Sequence, residues 1–191
     1  MKRTKLTALL CAAVCLVSLN GCGRTGHRSS SAVSDAPSAS KLPAVHSFQI
    51  ELIDGSTYTE SLLSKADVTV INIWQTTCPP CIKEMPDLAL LEESLPDHVR
   101  LMTWCLDGSY NSAKAKQILS DAGYRGMTIT GWDGDLNNLL GQIMYTPTTI
   151  FLDSEGNMAC EEIIGAGDVL GEYTERINSV LRAKGKDEIK L

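Results

Sequence analysis

Residues 68–81 read VTVINIWQTTCPPC and carry the clearest structural signal in the chain. The β-branched run Val68–Trp74 is typical of a strand that is buried on both faces. Residues 79–95 repeat apolar side chains every three to four positions, which predicts a helix that begins at the two prolines. Prolines suit the first helical turn because the N–H groups there lack intrahelical partners. Cys78 is therefore predicted at the start of a helix that follows a central strand.

The chemistry is predicted to lie in the CPPC motif, Cys78 to Cys81. Two cysteines in this arrangement can close a small disulfide, and the positive end of the helix dipole favours the thiolate of Cys78. Cys81 should lie deeper and be less acidic. An exposed nucleophile with a protected resolving partner is what thiol–disulfide exchange requires. We predict that Cys78 and Cys81 are catalytic and form a redox disulfide.

Metal binding is the alternative function of a CxxC motif. Zinc would need a second cysteine pair or nearby histidines, but His46 and His98 are isolated, and Cys105 and Cys160 are far apart in sequence. Covalent haem attachment needs a histidine directly after the second cysteine, where this chain has Ile82. We predict neither a metal nor another cofactor.

The periodicity of residues 45–191 predicts one α/β domain with a mixed central sheet and helices on both faces. A DSEGN turn at residues 153–157 should join the last two strands as an antiparallel hairpin. Strands are expected at residues 47–53, 68–74, 99–106, 127–130, 148–152 and 158–164, and helices at residues 79–95, 113–122, 136–143 and 168–184.

Composition excludes several classes of protein. The 191 residues carry a formal charge of −6, and the pI is near 5.1, which argues against a nucleic-acid partner. The hydrophobic content of 43% is normal for a packed domain. No apolar run reaches the roughly 18 residues of a membrane-spanning helix. We expect a monomer that contacts the membrane only through a lipid.

The N-terminal residues are predicted to export and anchor the domain. A basic start, KRTK at residues 2–5, precedes an apolar stretch at residues 6–19, as in a secretion signal. The following LNGC, which ends at Cys22, resembles a bacterial lipobox. We expect a lipoprotein signal peptide at residues 1–21, then a lipidated Cys22 and a flexible Ser-rich tether over residues 22–44. Ordinary signal cleavage that leaves Cys22 free is the alternative.

Further motifs accompany the cysteine pair in a fixed order. EMP occurs at residues 84–86, YTPTTIFLD at residues 145–153 and GA at residues 165–166. Together with residues 70–81, they resemble the TlpA/ResA group of membrane-anchored thioredoxin-like oxidoreductases. The resemblance extends over residues 45–184. It implies a thioredoxin-like fold and a thiol–disulfide oxidoreductase on the outer face of the cell membrane.

The resemblance also implies a substrate-binding site. Thr146-Pro147 is expected to be a cis peptide bond that faces the disulfide and exposes the backbone of Thr146 to a client peptide. A trans proline that opens an edge strand is the alternative. Trp74 matches a family tryptophan and is expected beneath the motif, with a core role as the alternative. Thr77 replaces a tryptophan that the family often carries, which reduces the aromatic platform beside Cys78.

Glu84 is the predicted proton acceptor. Asn72 occupies the strand position where thioredoxins place a buried aspartate, and an amide cannot take a proton from Cys81. Glu84 lies one turn after Cys81 on the same helix face, and it matches the family's acidic residue. The alternative is an exposed helix carboxylate. Cys105 and Cys160 are expected to be buried structural thiols, with a second disulfide as the alternative.

Three functions therefore compete. The leading prediction is a reductase of client disulfides, with apocytochrome c or a methionine sulfoxide reductase among the possible clients and a membrane thiol-electron donor that recharges the dithiol. The reducing direction is favoured because Pro79 and Pro80 offer no N–H donor to a thiolate and Glu84 opposes its charge. The alternatives are a copper or other metal chaperone with a thioredoxin fold and a redox-inactive binding module.

Overall fold

The computed structural model describes residues 39–191. The predicted signal peptide, Cys22 and the tether up to residue 38 lie outside the described residues. Within residues 39–191, no helix is long and apolar enough to cross a membrane.

A seven-stranded mixed sheet forms the centre of the domain, with strand order β2-β1-β5-β4-β3-β6-β7. Strands β3, β4 and β5 are parallel, whereas β6 runs antiparallel to β3. The strands are β1 (Phe48–Leu52), β2 (Thr57–Thr59), β3 (Val68–Trp74), β4 (Val99–Cys105), β5 (Met127–Gly134), β6 (Thr148–Leu152) and β7 (Ile163–Ile164). The helices are α1 (Pro79–Ser94), α2 (Ser112–Asp121), α3 (Asp135–Leu140) and α4 (Thr174–Ala183), with a 3-10 helix at Glu60–Lys65 and a π-helical turn at Val169–Tyr173.

Helices cover both faces of the sheet, which confirms the predicted fold class. All seven residues of β3 are buried. Its Val68 and Val70 pack with the buried faces of α1, α2 and α4. Its Ile71 and Ile73 pack on the opposite side with α3 and the 3-10 helix. A strand covered on both faces has no solvated side, which is why the sequence there is mostly apolar and its two polar residues, Thr69 and Asn72, are buried as well.

The structure differs from the predicted elements at the edges of the sheet. The short strand β2 and the 3-10 helix were not predicted, because all three β2 residues are exposed and show no apolar alternation. The strand predicted at residues 158–164 is wrong over most of its length. Only an isolated bridge from Met158 to Leu152 and the two residues of β7 pair with β6, because the chain leaves the sheet where Cys160 turns into the core.

The residues around the predicted start of the domain are tied to the rest of it. Val45 is fully buried, and its N–H donates to the carbonyl oxygen of Gly156 at 2.8 Å. Before it, Leu42 packs against the core, and the Ser40 hydroxyl donates to the Glu162 carboxylate at 2.5 Å. The last residues assigned to the tether are therefore part of the folded surface.

Candidate redox site

Cys78 and Cys81 form a disulfide at the start of α1, where the strand β3 ends. Cys78 is the N-cap residue of α1, and Pro79 and Pro80 occupy its first two positions. The Cys78 side chain is 8% exposed, whereas Cys81 is fully buried. The predicted asymmetry between an accessible and a protected sulfur is thus present in the geometry.

The helix N-terminus offers one hydrogen-bond donor to the accessible sulfur. The N–H of Cys81 donates to Sγ of Cys78 at 3.3 Å. Pro79 and Pro80 have no N–H to add. A single backbone donor and the helix dipole would stabilise a Cys78 thiolate less than a full set of amide donors would.

The YTPTTIFLD motif at residues 145–153 lies directly beside the disulfide. Thr148, the first residue of β6, pairs with Ile73 at the end of β3 that leads to Cys78. The Thr146-Pro147 peptide bond is cis. The carbonyl oxygen of Thr146 lies 3.6 Å from Sγ of Cys78. The sequence motifs around residues 78 and 146 therefore meet at one edge of the sheet.

The GA motif at residues 165–166 holds in place the loop of residues 145–147, which is called the proline loop below. The N–H of Gly165, which directly follows β7, donates to the carbonyl oxygen of Pro147 at 2.8 Å. The Thr148 hydroxyl donates to the carbonyl oxygen of Tyr145 at 2.8 Å. Gly165 has a φ of 88°, a left-handed conformation that glycine adopts at no steric cost. A larger residue at this position would strain the turn that fixes the loop.

Glu84 is buried one helical turn after Cys81 and is not an exposed helix carboxylate. Its side chain is 4% exposed and lies on the same face of α1 as the buried Cys81. The Asn72 amide donates to Oε1 of Glu84 at 2.8 Å. The other carboxyl oxygen, Oε2, is buried without a hydrogen-bond partner. A carboxyl group in this setting is costly to ionise.

The environment of Glu84 prepares it to exchange a proton near neutral pH. Burial raises its pKa, the hydrogen bond from Asn72 opposes that effect, and the charge of Asp87 adds to it, so that the pKa lies at about 7. A general base works best when its pKa is close to the operating pH. Glu84 can therefore hold a proton at mildly acidic pH and accept one above neutrality.

Two further residues of this polar network were missing from the sequence prediction. The Tyr173 hydroxyl pairs with the Thr149 hydroxyl at 2.5 Å, and the Asn72 amide lies 3.2 Å from the same Tyr173 oxygen and 3.1 Å from Thr149 Oγ1. Thr149 and Tyr173 thus accept from the same amide nitrogen that donates to Glu84, and they hold the Asn72 amide in this orientation. Tyr173 ends the π-helical turn, a feature that is frequent at functional sites.

Trp74, which was predicted to lie beneath the motif as part of the substrate-binding site, is buried in this structure. Its side chain is fully buried and packs in the core cluster that includes Cys78 and Cys81. Trp74 lies at the end of β3 and faces the helices rather than the surface. The alternative, a core role, describes its position.

Cys105 and Cys160 are buried, and neither forms a disulfide within the described residues. Burial raises the pKa of both thiols, so that each stays protonated at neutral pH. Within residues 39–191, no three His, Cys, Asp or Glu side chains are placed to hold a metal ion together.

Comparison with known proteins identifies the family of this chain. The family model named Redoxin matches residues 36–163, which include the cysteine pair and the proline loop. The chain belongs to the Redoxin family. Membership in the Redoxin family and the mixed sheet with its CxxC disulfide confirm the predicted thioredoxin-like protein.

One curated relative of this Redoxin chain is a sporulation thiol-disulfide oxidoreductase A from Bacillus subtilis strain 168. It is 33% identical over 88 residues, which are 45% of this chain and 50% of that protein. The chain thus matches about half the length of this relative.

Solved structures share the fold. A thiol:disulfide interchange protein of the thioredoxin family from Chlorobium tepidum TLS has a TM-score of 0.60 at 17% identity, over 75% of this chain and 99% of that one. The pneumococcal exposed lipoprotein thioredoxin from Streptococcus pneumoniae has a TM-score of 0.55 at 18% identity, over 68% and 97%. At these identities the likeness shows the thioredoxin fold.

Proposed function

We propose that the chain is an extracytoplasmic protein-disulfide reductase that works through the Cys78–Cys81 dithiol. The observation that carries this proposal is the disulfide at the start of α1, with a titratable carboxyl group buried beneath it. A structural disulfide needs no such group. A dithiol that must release a proton from its buried sulfur in every cycle does.

The exchange proceeds in two balanced steps. The Cys78 thiolate attacks one sulfur of a client disulfide, forms a mixed disulfide and releases the other client sulfur as a thiolate, which takes up a proton. Cys81 then passes its proton to ionised Glu84 and attacks Sγ of Cys78. This second step releases the remaining client thiolate and closes the Cys78–Cys81 disulfide. Two electrons have moved to the client, and a membrane thiol-electron donor must return two to restore the dithiol.

An apolar rim beside the proline loop fits the docking of a client. Met144 is 77% exposed, Tyr145 68% and Ile164 61%. These side chains line one small pocket together with Leu42 and Thr148. Since Thr146 follows Tyr145 directly and its carbonyl oxygen lies next to Cys78, a bound segment would bring its cysteine to the reactive sulfur. Client proteins with disulfides are therefore the proposed partners, with an apocytochrome or a methionine sulfoxide reductase as candidates.

The direction of electron flow rests on the weak stabilisation of a Cys78 thiolate. Proteins that act as strong oxidants through such a cysteine pair do so because their reduced form is stabilised. Here the sulfur receives one N–H, from Cys81, and an acidic group lies beneath the pair. These features favour a reducing couple.

We also propose the domain layout expected from the sequence. Residues 1–21 would be removed, Cys22 would carry the lipid, and the Ser-rich tether predicted over residues 22–44, whose last residues contact the domain, would hold the thioredoxin-like domain at the outer face of the cell membrane. Two acyl chains are what stable anchoring requires. Membrane fractionation of a Cys22→Ala variant tests this layout, which fails if the variant stays bound to membranes as firmly as the wild type.

The reduced protein should accelerate the reduction of insulin disulfides by dithiothreitol, and a Cys78→Ser variant should show only the uncatalysed rate. The measurement is the turbidity of the released insulin chain over time. Cys160→Ala serves as the matched control, because within residues 39–191 that thiol is buried, forms no disulfide and has no hydrogen bond to the redox site, so that the rate should stay unchanged. No acceleration by the wild type would identify a redox-inactive binding module. Stoichiometric copper binding by the reduced wild type without insulin reduction would identify a metal chaperone.

A further inference from the structure

Asp107 is a buried carboxylate that the proposed exchange steps do not use. It follows β4 by two residues and is 4% exposed. It accepts hydrogen bonds from the N–H of Thr76 at 2.9 Å, the Thr76 hydroxyl at 2.5 Å, the Asn111 amide at 2.9 Å and the Cys105 thiol at 3.3 Å. These four donors offset the cost of burying the Asp107 charge.

The fold brings Asp107 to the loop that carries the reactive cysteine. Strands β3 and β4 are parallel, and their last residues, Trp74 and Cys105, pair with each other. The chain segments that follow both strands therefore emerge at the same edge of the sheet. One leads through residues 75–77 to Cys78, and the other leads to Asp107.

A close packing contact keeps the Asp107 turn in place. The N–H of Gly108 donates to the carbonyl oxygen of Cys105 at 3.1 Å. A Cβ atom on Gly108 would lie 2.6 Å from Cγ2 of Thr130, a distance that atoms do not tolerate. A larger residue at position 108 would therefore push the turn and β5 apart.

Asp107 is the one side chain that hydrogen-bonds the loop of residues 75–77 in the part of the chain that the structure describes. The loop has another hydrogen bond within the backbone, in which the N–H of Cys78 donates to the carbonyl oxygen of Gln75 at 3.2 Å. Thr76 itself is fully buried. The bonds between Thr76 and Asp107 therefore anchor the loop that leads to Cys78.

We propose that Asp107 is a positioning residue of the redox site, which holds the 75–77 loop through Thr76 and whose negative charge destabilises a Cys78 thiolate. This inference rests on the proposed function, because it assumes that Cys78 reacts as a thiolate. Asp107 then has two separable effects on Cys78. The bonds to Thr76 set the rate at which Cys78 attacks, and the charge makes the dithiol more reducing.

The charge is present throughout the neutral pH range. Burial raises the pKa of Asp107, but the hydrogen bonds from Thr76, Asn111 and Cys105 outweigh that effect and lower the pKa to about 2. A like charge near a titrating group disfavours its ionised form. A less stable thiolate means a less stable reduced form, and hence a lower reduction potential.

The test compares Asp107→Asn, which keeps the size of the side chain and loses the charge, with Asp121→Asn as the matched control. Asp121 lies exposed at the end of α2 and bonds only Gln117, so that its replacement makes the same charge change away from Cys78. The readouts are the pH dependence of Cys78 alkylation in the reduced protein and the equilibrium with glutathione. In Asp107→Asn we expect the thiolate population and the equilibrium constant to shift about threefold to tenfold toward the thiolate and the dithiol. Asp121→Asn should match the wild type.

A wild-type Cys78 pKa and glutathione equilibrium in folded Asp107→Asn would overturn the charge effect, even if the variant melts at a lower temperature. Thr76→Val tests the positioning effect independently, because it keeps the charge and the shape and removes the hydroxyl bond. We expect it to slow the attack of Cys78 on a small disulfide severalfold while its Cys78 pKa stays at the wild-type value, and an unchanged rate would overturn this half. If the wild type itself exchanges with no disulfide, the proposed function fails instead.

Discussion

A Cys81→Ser variant should accumulate covalent complexes with client proteins, and a Cys78→Ser variant should accumulate none. Cys78 is the sulfur at the open helix end that keeps some exposure, whereas Cys81 is fully buried. Once Cys78 has attacked a client, only Cys81 can release it, because resolution requires a second sulfur at bonding distance. The measurement is a non-reducing gel of cell extracts, with mass spectrometry of the bands.

Two controls make the trapping result specific. Treatment with a reductant should dissolve the complexes, and the double Cys78→Ser, Cys81→Ser variant should give the same empty gel as Cys78→Ser alone. Equal trapping by the two single variants would contradict the assignment of attacking and resolving sulfurs. The proteins recovered with Cys81→Ser would identify the client class.

Glu84→Gln should lower the rate of the resolving step by about a hundredfold at pH 7, the order of effect seen when a positioned general base is removed. In the wild type, the fraction of ionised Glu84 rises through its pKa of about 7, so that the rate should rise over the same pH interval. The variant should lose this rise. The measurement is stopped-flow release of a preformed mixed disulfide between pH 5 and 9.

The same variant separates proton transfer from stability. Because the folded-state pKa of Glu84 is raised, its contribution to the free energy of unfolding is fully present below the unfolded value of about 4.5 and is lost as the pH rises through about 7. Glutamine keeps an oxygen to accept the Asn72 amide and stays neutral. Glu84→Gln should therefore be at least as stable as the wild type at pH 8. A hundredfold slower variant that is also unfolded, or a folded variant with the wild-type pH profile, would contradict the base role.

Local patterns were sufficient for the centre of the site. The run Val68–Trp74, the two prolines and the spacing from Cys81 to Glu84 each act within one element, so that the helix start and the shared face follow from the sequence. A local pattern does not show which elements pack against each face of a strand such as β3. Trp74 is buried under the helices instead of lining the surface, and only the packed sheet decides between these positions.

The residues that were missed depend on contacts between distant segments. Tyr173, the last residue of the π-helical turn before α4, reaches Asn72 across 101 positions. Asp107 reaches Thr76 across 31 positions through the parallel pairing of β3 and β4. A signal for Asp107 was available, since Asp-Gly directly after a buried strand marks a turn, but its hydrogen-bond partners are set by tertiary structure.

The central claim, that this dithiol reduces its clients, is tested most directly by equilibrating the purified protein with glutathione buffers and measuring the fraction of Cys78–Cys81 disulfide. We predict a reduction potential closer to the value of thioredoxin, about −270 mV, than to that of the strong periplasmic oxidants, about −120 mV. A potential of about −120 mV would contradict the account and make the protein an oxidase of its clients.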